Sequence, residues 1–148
     1  MNRQLQGELD SALKAVVDDM RRDVDELTQA LQAERTALGA GDSEALNRVG
    51  ARKQALMLQL EQLDAERLQL CRESPAAATR LEQDWVQIVQ SLRDSQRLNQ
   101  RNGDEVNQRL RQVRKALSIL TGHASESGLY GRAGELHVNL RSRALAEA

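Results

Sequence analysis

The sequence predicts an all-α protein, an elongated antiparallel bundle of three long helices with a flexible C-terminal tail that can add a short fourth helix. Leucine and valine recur at steps of three and four residues through most of the 148-residue chain, which is the period of an amphipathic helix. The chain has one proline, one tryptophan, one tyrosine and no phenylalanine. Aliphatic side chains must therefore form the core, as they do between closely packed helices.

The first helix is expected from about Arg3 to Leu38. The segment Gly39-Ala40-Gly41 ends it, and Asp42 or Ser43 can cap the next helix by accepting hydrogen bonds from its free amides. The apolar positions step by four, four and three residues, an eleven-residue repeat that favours a nearly straight seam. They are Leu5, Leu9, Leu13, Val16, Met20, Val24, Leu27, Leu31 and Leu38.

The second helix shows a strict heptad pattern that contains two basic residues. Its seam positions are Leu46, Val49, Lys53, Leu56, Leu60, Leu63, Arg67 and Leu70. We expect Lys53 and Arg67 to bury their aliphatic stems and to hold their charges in water. The short connections on either side of this helix predict antiparallel neighbours.

The third helix is expected from about Pro75 to Leu120, with Ser74 as its cap and the proline in its first turn. Its seam is Leu81, Trp85, Ile88, Leu92, Ser95, Asn99, Asn102, Val106, Leu110, Val113, Leu117 and Leu120. We expect the tryptophan to lie in the core.

A polar break interrupts this seam at Asn99, Asn102 and Gly103. A seam asparagine fixes register at a cost in stability, and a helical glycine costs roughly 1 kcal/mol relative to alanine. The two asparagines are equally compatible with a register-setting polar layer and with a partner site. The glycine is expected to serve close helix packing or a local bend.

The composition changes after Leu120, which predicts two parts: a helical bundle over residues 1–120 and a flexible partner-binding tail over residues 121–148. The segment that follows is small and polar, with too few apolar groups to offset the entropy of ordering it. Leu129 and Tyr130 then stand between glycines. Lone aromatic residues of this kind are typical anchors at interfaces, so both residues are predicted to bind a partner.

A short amphipathic helix is predicted near the C-terminus. Leu136, Val138 and Leu140 are our candidates for contact with a partner protein. The alternative is that this helix packs on its own bundle, because so short a helix needs a surface to fold against.

The residues argue against several classes of function. The net charge of −1 gives no field that would recruit nucleic acid or an anionic membrane. No apolar run is long enough for a signal peptide or a transmembrane span, and Cys71 has no partner for a disulfide, so we expect a cytoplasmic protein. His123 and His137 form no recognisable metal or catalytic set. We therefore predict no enzyme activity, no metal and no cofactor.

The sequence resembles the FlgN-type flagellar export chaperones. The family pattern has leucine-rich first and second helices, a lysine and an arginine on the second, an Asn-x-x-Asn-Gly turn on the third, and a late tyrosine followed by glycine. Here these features are Lys53, Arg67, Asn99-Gln100-Arg101-Asn102-Gly103 and Leu129-Tyr130-Gly131-Arg132-Ala133-Gly134. The resemblance covers nearly the whole chain.

The resemblance implies a cytoplasmic chaperone associated with type III secretion. Such chaperones bind hook-filament junction proteins (hook-associated proteins), in this case through their unfolded terminal segments, and keep them from assembling before export. They then deliver these proteins to the export apparatus, so its gate or ATPase complex is a second expected partner, and Tyr130 is the expected contact with the gate. A monomer or homodimer suits this role.

A structural coiled-coil protein, which would oligomerise or act as a scaffold, is the alternative interpretation. The heptads of the second helix suit it equally well. It leaves the glycine-rich stretch and the isolated Tyr130 unexplained.

Overall fold

The structure, a computed structural model, describes residues 2–122. These residues form four α-helices, and this part of the chain has no strand: α1 (Arg3–Ala40), α2 (Ser43–Glu73), α3 (Pro75–Arg80) and α4 (Glu82–Thr121). The predicted all-α helical fold is therefore confirmed.

The chain divides into two compact units, Met1–Asn99 and Gln100–Ala148. Within the described residues, the first unit contains α1, α2, α3 and residues 82–99 of α4. The second unit contains residues 100–121 of the same helix. The predicted division at residue 120 stays a prediction.

Side-chain hydrogen bonds cap the N-terminal ends of α1 and α2, and the cap at Asp42 was predicted from the sequence. Asn2 Oδ1 accepts a hydrogen bond from the Gln4 amide at 3.1 Å, and Asp42 Oδ1 accepts one from the Ala45 amide at 3.1 Å. Between the two helices Gly41 has φ 67°, a left-handed conformation that glycine adopts without a steric penalty. The resulting turn is two residues long, so α1 and α2 lie antiparallel.

The predicted third helix is in fact two helices. Ser74 Oγ accepts a hydrogen bond from the Ala77 amide at 3.2 Å, so the cap and the first-turn proline are where we expected them. Leu81 separates α3 from α4. The Leu81 amide still donates to the Ala77 carbonyl at 3.1 Å, and the Trp85 amide donates to the Leu81 carbonyl at 3.0 Å. The expectation of one uninterrupted helix was wrong, because the single residue Leu81 is not part of either helix.

The core of the first unit lies along α1, and the predicted seam positions from Leu13 to Leu38 are all buried. Val17 and Glu34 are buried as well and complete a seven-residue repeat beside the predicted eleven-residue one, whereas Leu5 is exposed. From α2, α3 and α4 this core receives Leu56, Leu60, Ala77 and Ile88. The buried residues of α1 that are spaced alternately by four and three positions are Leu13, Val17, Met20, Val24, Leu27, Leu31, Glu34 and Leu38.

Polar pairs across the first unit show how its helices run. Arg21 Nη2 lies 3.0 Å from Asp84 Oδ1, and Thr28 Oγ1 lies 3.1 Å from Ser95 Oγ. Residue numbers increase together in these pairs, so residues 82–99 of α4 run parallel to α1 and therefore antiparallel to α2. All three helices contribute to one core.

Candidate functional site

A polar layer joins three helices of the first unit, and two of its three members are buried. Lys53 Nζ on α2 lies 2.8 Å from Glu34 Oε2 on α1 and donates a hydrogen bond to Asn99 Oδ1 on α4 at 2.9 Å. The lysine is 5% exposed and the glutamate 8%. Our expectation that the Lys53 charge reaches water was wrong, because Glu34 neutralises the charge inside the core.

Glu34 was not among the residues predicted from the sequence to join this layer. A signal was available, since the glutamate lies three residues after Leu31 and four before Leu38. Both intervals match the heptad step of the buried positions of α1. A lone acidic residue at such a position indicates a basic partner on a facing helix, because a buried unpaired carboxylate is very costly.

The two asparagines of the predicted site occupy different environments. Asn99 is exposed, although its carbonyl oxygen accepts the hydrogen bond from Lys53. Asn102 is 1% exposed. The contact of Asn99 supports the register interpretation, and a role of either asparagine in partner binding stays a prediction.

Gly103 has no packing reason among the described residues. A Cβ atom added there would meet no atom within 4 Å. The residue lies inside α4, without a break in the helix. The expectation of close helix packing is therefore not supported by the described structure, and the expectation of a local bend stays a prediction.

Arg67, the second basic residue of the α2 seam, lies against the tryptophan of α4. Its guanidinium carbon is 3.6 Å from the centroid of the Trp85 ring, a cation–π contact. The Arg67 Nε donates to Asp64 Oδ1 at 2.9 Å. Trp85 is half-buried and packs against the core. The predicted core position of the tryptophan agrees with these contacts. The expectation that Arg67 holds its charge in water was wrong, because its side chain is 14% exposed and its guanidinium lies against the tryptophan ring and Asp64.

An acidic groove lies between α1 and α2. Asp19, Asp23, Glu26 and Glu66 line it. Burial raises the pKa of Asp23, and the negative charges of Glu26 and Asp19 raise it further. Arg22 pairs with Asp19 and Arg52 pairs with Glu26, so basic residues balance two of the other three carboxylates of the groove.

The second unit presents a regular apolar stripe on α4, which we call the terminal stripe: Val106, Leu110, Val113, Leu117 and Leu120. Its first two members are half-buried. Val113, Leu117 and Leu120 are 52%, 44% and 81% exposed. The steps of four and three residues are those of a seam between paired helices. The predicted seam of the third helix thus continues to the end of α4, but its last part has no covering partner among the described residues.

The tail residues of the predicted site lie outside the described residues. These are Leu129, Tyr130, Leu136, Val138 and Leu140. Their roles stay predictions. Both histidines, His123 and His137, also lie outside this part of the chain.

Residues 2–122 contain no group of three His, Cys, Asp or Glu side chains that could hold a metal ion. No helix of this segment is both long enough and apolar enough to pass through a bilayer. Among the described residues, the terminal stripe is a candidate protein-binding surface, because three of its members are exposed apolar side chains at the spacing of a helix seam.

In a comparison with known proteins, a family model described as FlgN protein matches residues 1–137. No curated protein and no solved structure matches the chain. The matched range includes the polar layer, the terminal stripe and the predicted tail residues up to Leu136.

Proposed function

This chain belongs to the FlgN family of flagellar export chaperones, and from that premise we propose that it binds hook-filament junction proteins in the cytoplasm. By covering their terminal segments it would prevent their assembly before export and deliver them to the flagellar type III export apparatus. The membership covers most of the chain, and the family is one of chaperones rather than of enzymes. The identity of the client and the order of these steps belong to the proposal.

The terminal stripe is the observation that carries the proposal. Three of its five side chains are 44% or more exposed, and they recur at the spacing by which one helix packs on another. An exported subunit whose terminal helices pair only after secretion exposes apolar side chains in the unfolded state. The terminal stripe matches such a helix in chemistry and in period, because helix-in-groove recognition uses apolar anchors at these steps.

The mechanism needs no chemical step. A client segment that folds as it binds loses conformational entropy, so part of the interaction free energy is spent on ordering. The complex can then be specific and still release its client at the export apparatus. Burial of the apolar area exposed by Val113, Leu117 and Leu120 contributes favourably to the binding free energy, at about 25 cal/mol per Å² buried.

The tail residues complete the proposal without structural evidence of their own. We propose Leu136, Val138 and Leu140 as further contacts with the client, and Leu129 and Tyr130 as the contact with the export gate. Substitution of Tyr130 by alanine should then spare client binding and weaken docking to the gate. Unaltered docking would remove this assignment.

The test is calorimetric titration with the unfolded terminal segment of a hook-filament junction protein. We expect the Val113→Ser, Leu117→Ser double variant to bind about tenfold or more weakly than the unmodified chain, because both changes remove apolar anchors. The matched control is Met57→Ser, Leu58→Ser on α2, where the two side chains are 51% and 57% exposed. This control should bind normally.

A chain that ends at Leu120 locates the remaining contacts. Loss of client binding on truncation would place the main binding contacts in the tail, and equal binding would place them on the helices. If the stripe variant binds as tightly as the control, the terminal stripe is not the client site. No binding by the full chain, combined with growth into large assemblies at higher concentration, would favour the coiled-coil scaffold.

A further inference from the structure

The terminal stripe lies in a strongly basic part of the chain. From Val106 to Ser125 the sequence contains four basic residues and no acidic residue. In contrast, the first 99 residues contain more acidic than basic residues. The basic residues are Arg109, Arg111, Arg114 and Lys115.

Two of the four basic residues border the terminal stripe. At 3.6 residues per turn, Arg109 and Arg114 lie on its two sides, whereas Arg111 and Lys115 lie on the opposite face of the helix. In paired helices, the charges that border the apolar seam set the choice and orientation of the partner. The bordering positions of the terminal stripe therefore favour negative charge on whatever helix covers it.

Both bordering arginines have hydrogen-bonding capacity that the described residues leave unused or hold only weakly. Arg109 Nε lies 3.4 Å from Glu105 Oε1, and the two side chains are 40% and 50% exposed. Exposed pairs of this kind contribute little and exchange readily. The Arg114 Nε atom is buried and has no hydrogen-bond partner within residues 2–122. A carboxylate supplied by a bound helix would satisfy this donor.

We infer that the terminal stripe takes an amphipathic client helix whose apolar seam is bordered by acidic residues. The inference rests on the proposed function and adds a rule of client selection to it. The carboxylates of the client would pair with Arg109 and Arg114 while its seam covers Val113 and Leu117. A competing helix with basic residues beside its seam would be repelled by Arg109 and Arg114. Specificity then comes from unfavourable contacts as well as from favourable ones.

Other occupants fit the charges less well. A second copy of this chain on the same stripe would place basic residues against basic residues, with no acidic residue on either helix after Glu105. A helix that lies in a membrane surface carries a broad apolar face. The terminal stripe instead has the narrow form of a seam between two helices. The partner that matches both features is a protein helix.

Three synthetic peptides test the inference directly. They share one helical sequence with a leucine and isoleucine seam, and they differ only at the bordering positions, which are all Glu, all Gln or all Lys. Titration of the full chain should give the tightest binding for the Glu peptide, about tenfold tighter than for the Gln peptide, with the Lys peptide weakest. The advantage of the Glu peptide should shrink as salt is raised.

Matched charge-reversal variants separate local pairing from a general field. Arg109→Glu, Arg114→Glu should invert the preference, so that the Lys peptide binds more tightly than the Glu peptide. Arg111→Glu, Lys115→Glu makes the same change in net charge on the opposite face and should retain the order of the unmodified chain. Circular dichroism of both variants checks that α4 still forms.

The remaining outcomes each overturn the inference. Equal binding of the three peptides by a chain that still binds the junction-protein segment would remove charge selection and leave the proposed function intact. If both variants inverted the order of the peptide affinities, the selection would come from the general electrostatic field of the helix and not from local pairing. Binding to phosphatidylserine vesicles that depends on Arg109 and Arg114, without a preference among the peptides, would identify a membrane surface as the occupant. Self-association that is lost in Leu117→Ser would identify a second copy.

Discussion

Removal of one partner from the buried ion pair should strongly destabilise the first unit. Lys53 Nζ lies 2.8 Å from Glu34 Oε2, and the two side chains are 6% and 11% exposed. Lys53→Met leaves the carboxylate without its ammonium group in a site that water scarcely reaches. Breaking a buried pair in this way typically costs about 3–5 kcal/mol, which is a large part of the 5–15 kcal/mol stability typical of a domain.

Both single variants should lose stability, because each leaves one member of the buried pair without the other. The Lys53 ammonium group also donates to Asn99 Oδ1 at 2.9 Å. In Glu34→Leu the ammonium keeps this hydrogen bond but loses its carboxylate, so this variant should also be less stable than the unmodified protein. The double variant Glu34→Leu, Lys53→Met removes both charges and should recover most of the stability, since an apolar replacement of a buried pair is often neutral or favourable.

Urea denaturation followed by circular dichroism gives the free energies of unfolding for the cycle. The control is Arg97→Gln in α4, which removes an ion pair to Asp94 whose side chains are 61% and 64% exposed. It should cost no more than about 1 kcal/mol. Additive single-variant losses, or a loss in Lys53→Met no larger than in the control, would show that the pair is neither buried nor coupled in solution.

Three further predictions concern single positions. Asp23→Asn should stabilise the protein at neutral pH, because the raised pKa of Asp23 means that folding disfavours its ionised form. The loss of folding stability caused by the ionised Asp23 is fully present above the raised pKa and disappears below about pH 3.8, where the carboxyl group is protonated in both states. Urea melts at neutral and acidic pH check this, and an equal effect at both would contradict it. Gly103→Ala should raise the stability by up to about 1 kcal/mol, since a Cβ atom there meets no described atom within 4 Å; a lower thermal midpoint would show that the space is used. Ser74→Ala should cost about 1–2 kcal/mol, because Ser74 Oγ accepts hydrogen bonds from the Ala77 amide and from Gln6 Nε2; a Ser74→Thr control should lose less, and equal losses would argue against the cap.

Part of the candidate site could be predicted from the sequence. The heptad count placed Val113, Leu117 and Leu120 on one face of α4, and that face is the terminal stripe. The same count could not show that this face lacks a covering partner among the described residues. Exposure depends on where the neighbouring helices end, and that information is not contained in the spacing along one helix.

The buried pair was missed for a similar reason. A lysine on a seam can send its charge to water or pair with an acid on a facing helix, and both outcomes fit the same local pattern. The register between α1 and α2 brings Glu34 to Lys53. This register arises from the packing of the whole hairpin, so no window of a few residues contains it.

The sequence by itself determined the helical class, the turn at Gly41, the caps at Asp42 and Ser74, and the seam of α2. Each of these depends on residues within one or two helical turns, where backbone geometry and capping act. The tertiary structure decided that the Lys53 charge is buried, that Leu81 separates α3 from α4, and that the α4 seam ends as an exposed stripe. These features depend on contacts between distant segments, whose energies are set by register and packing.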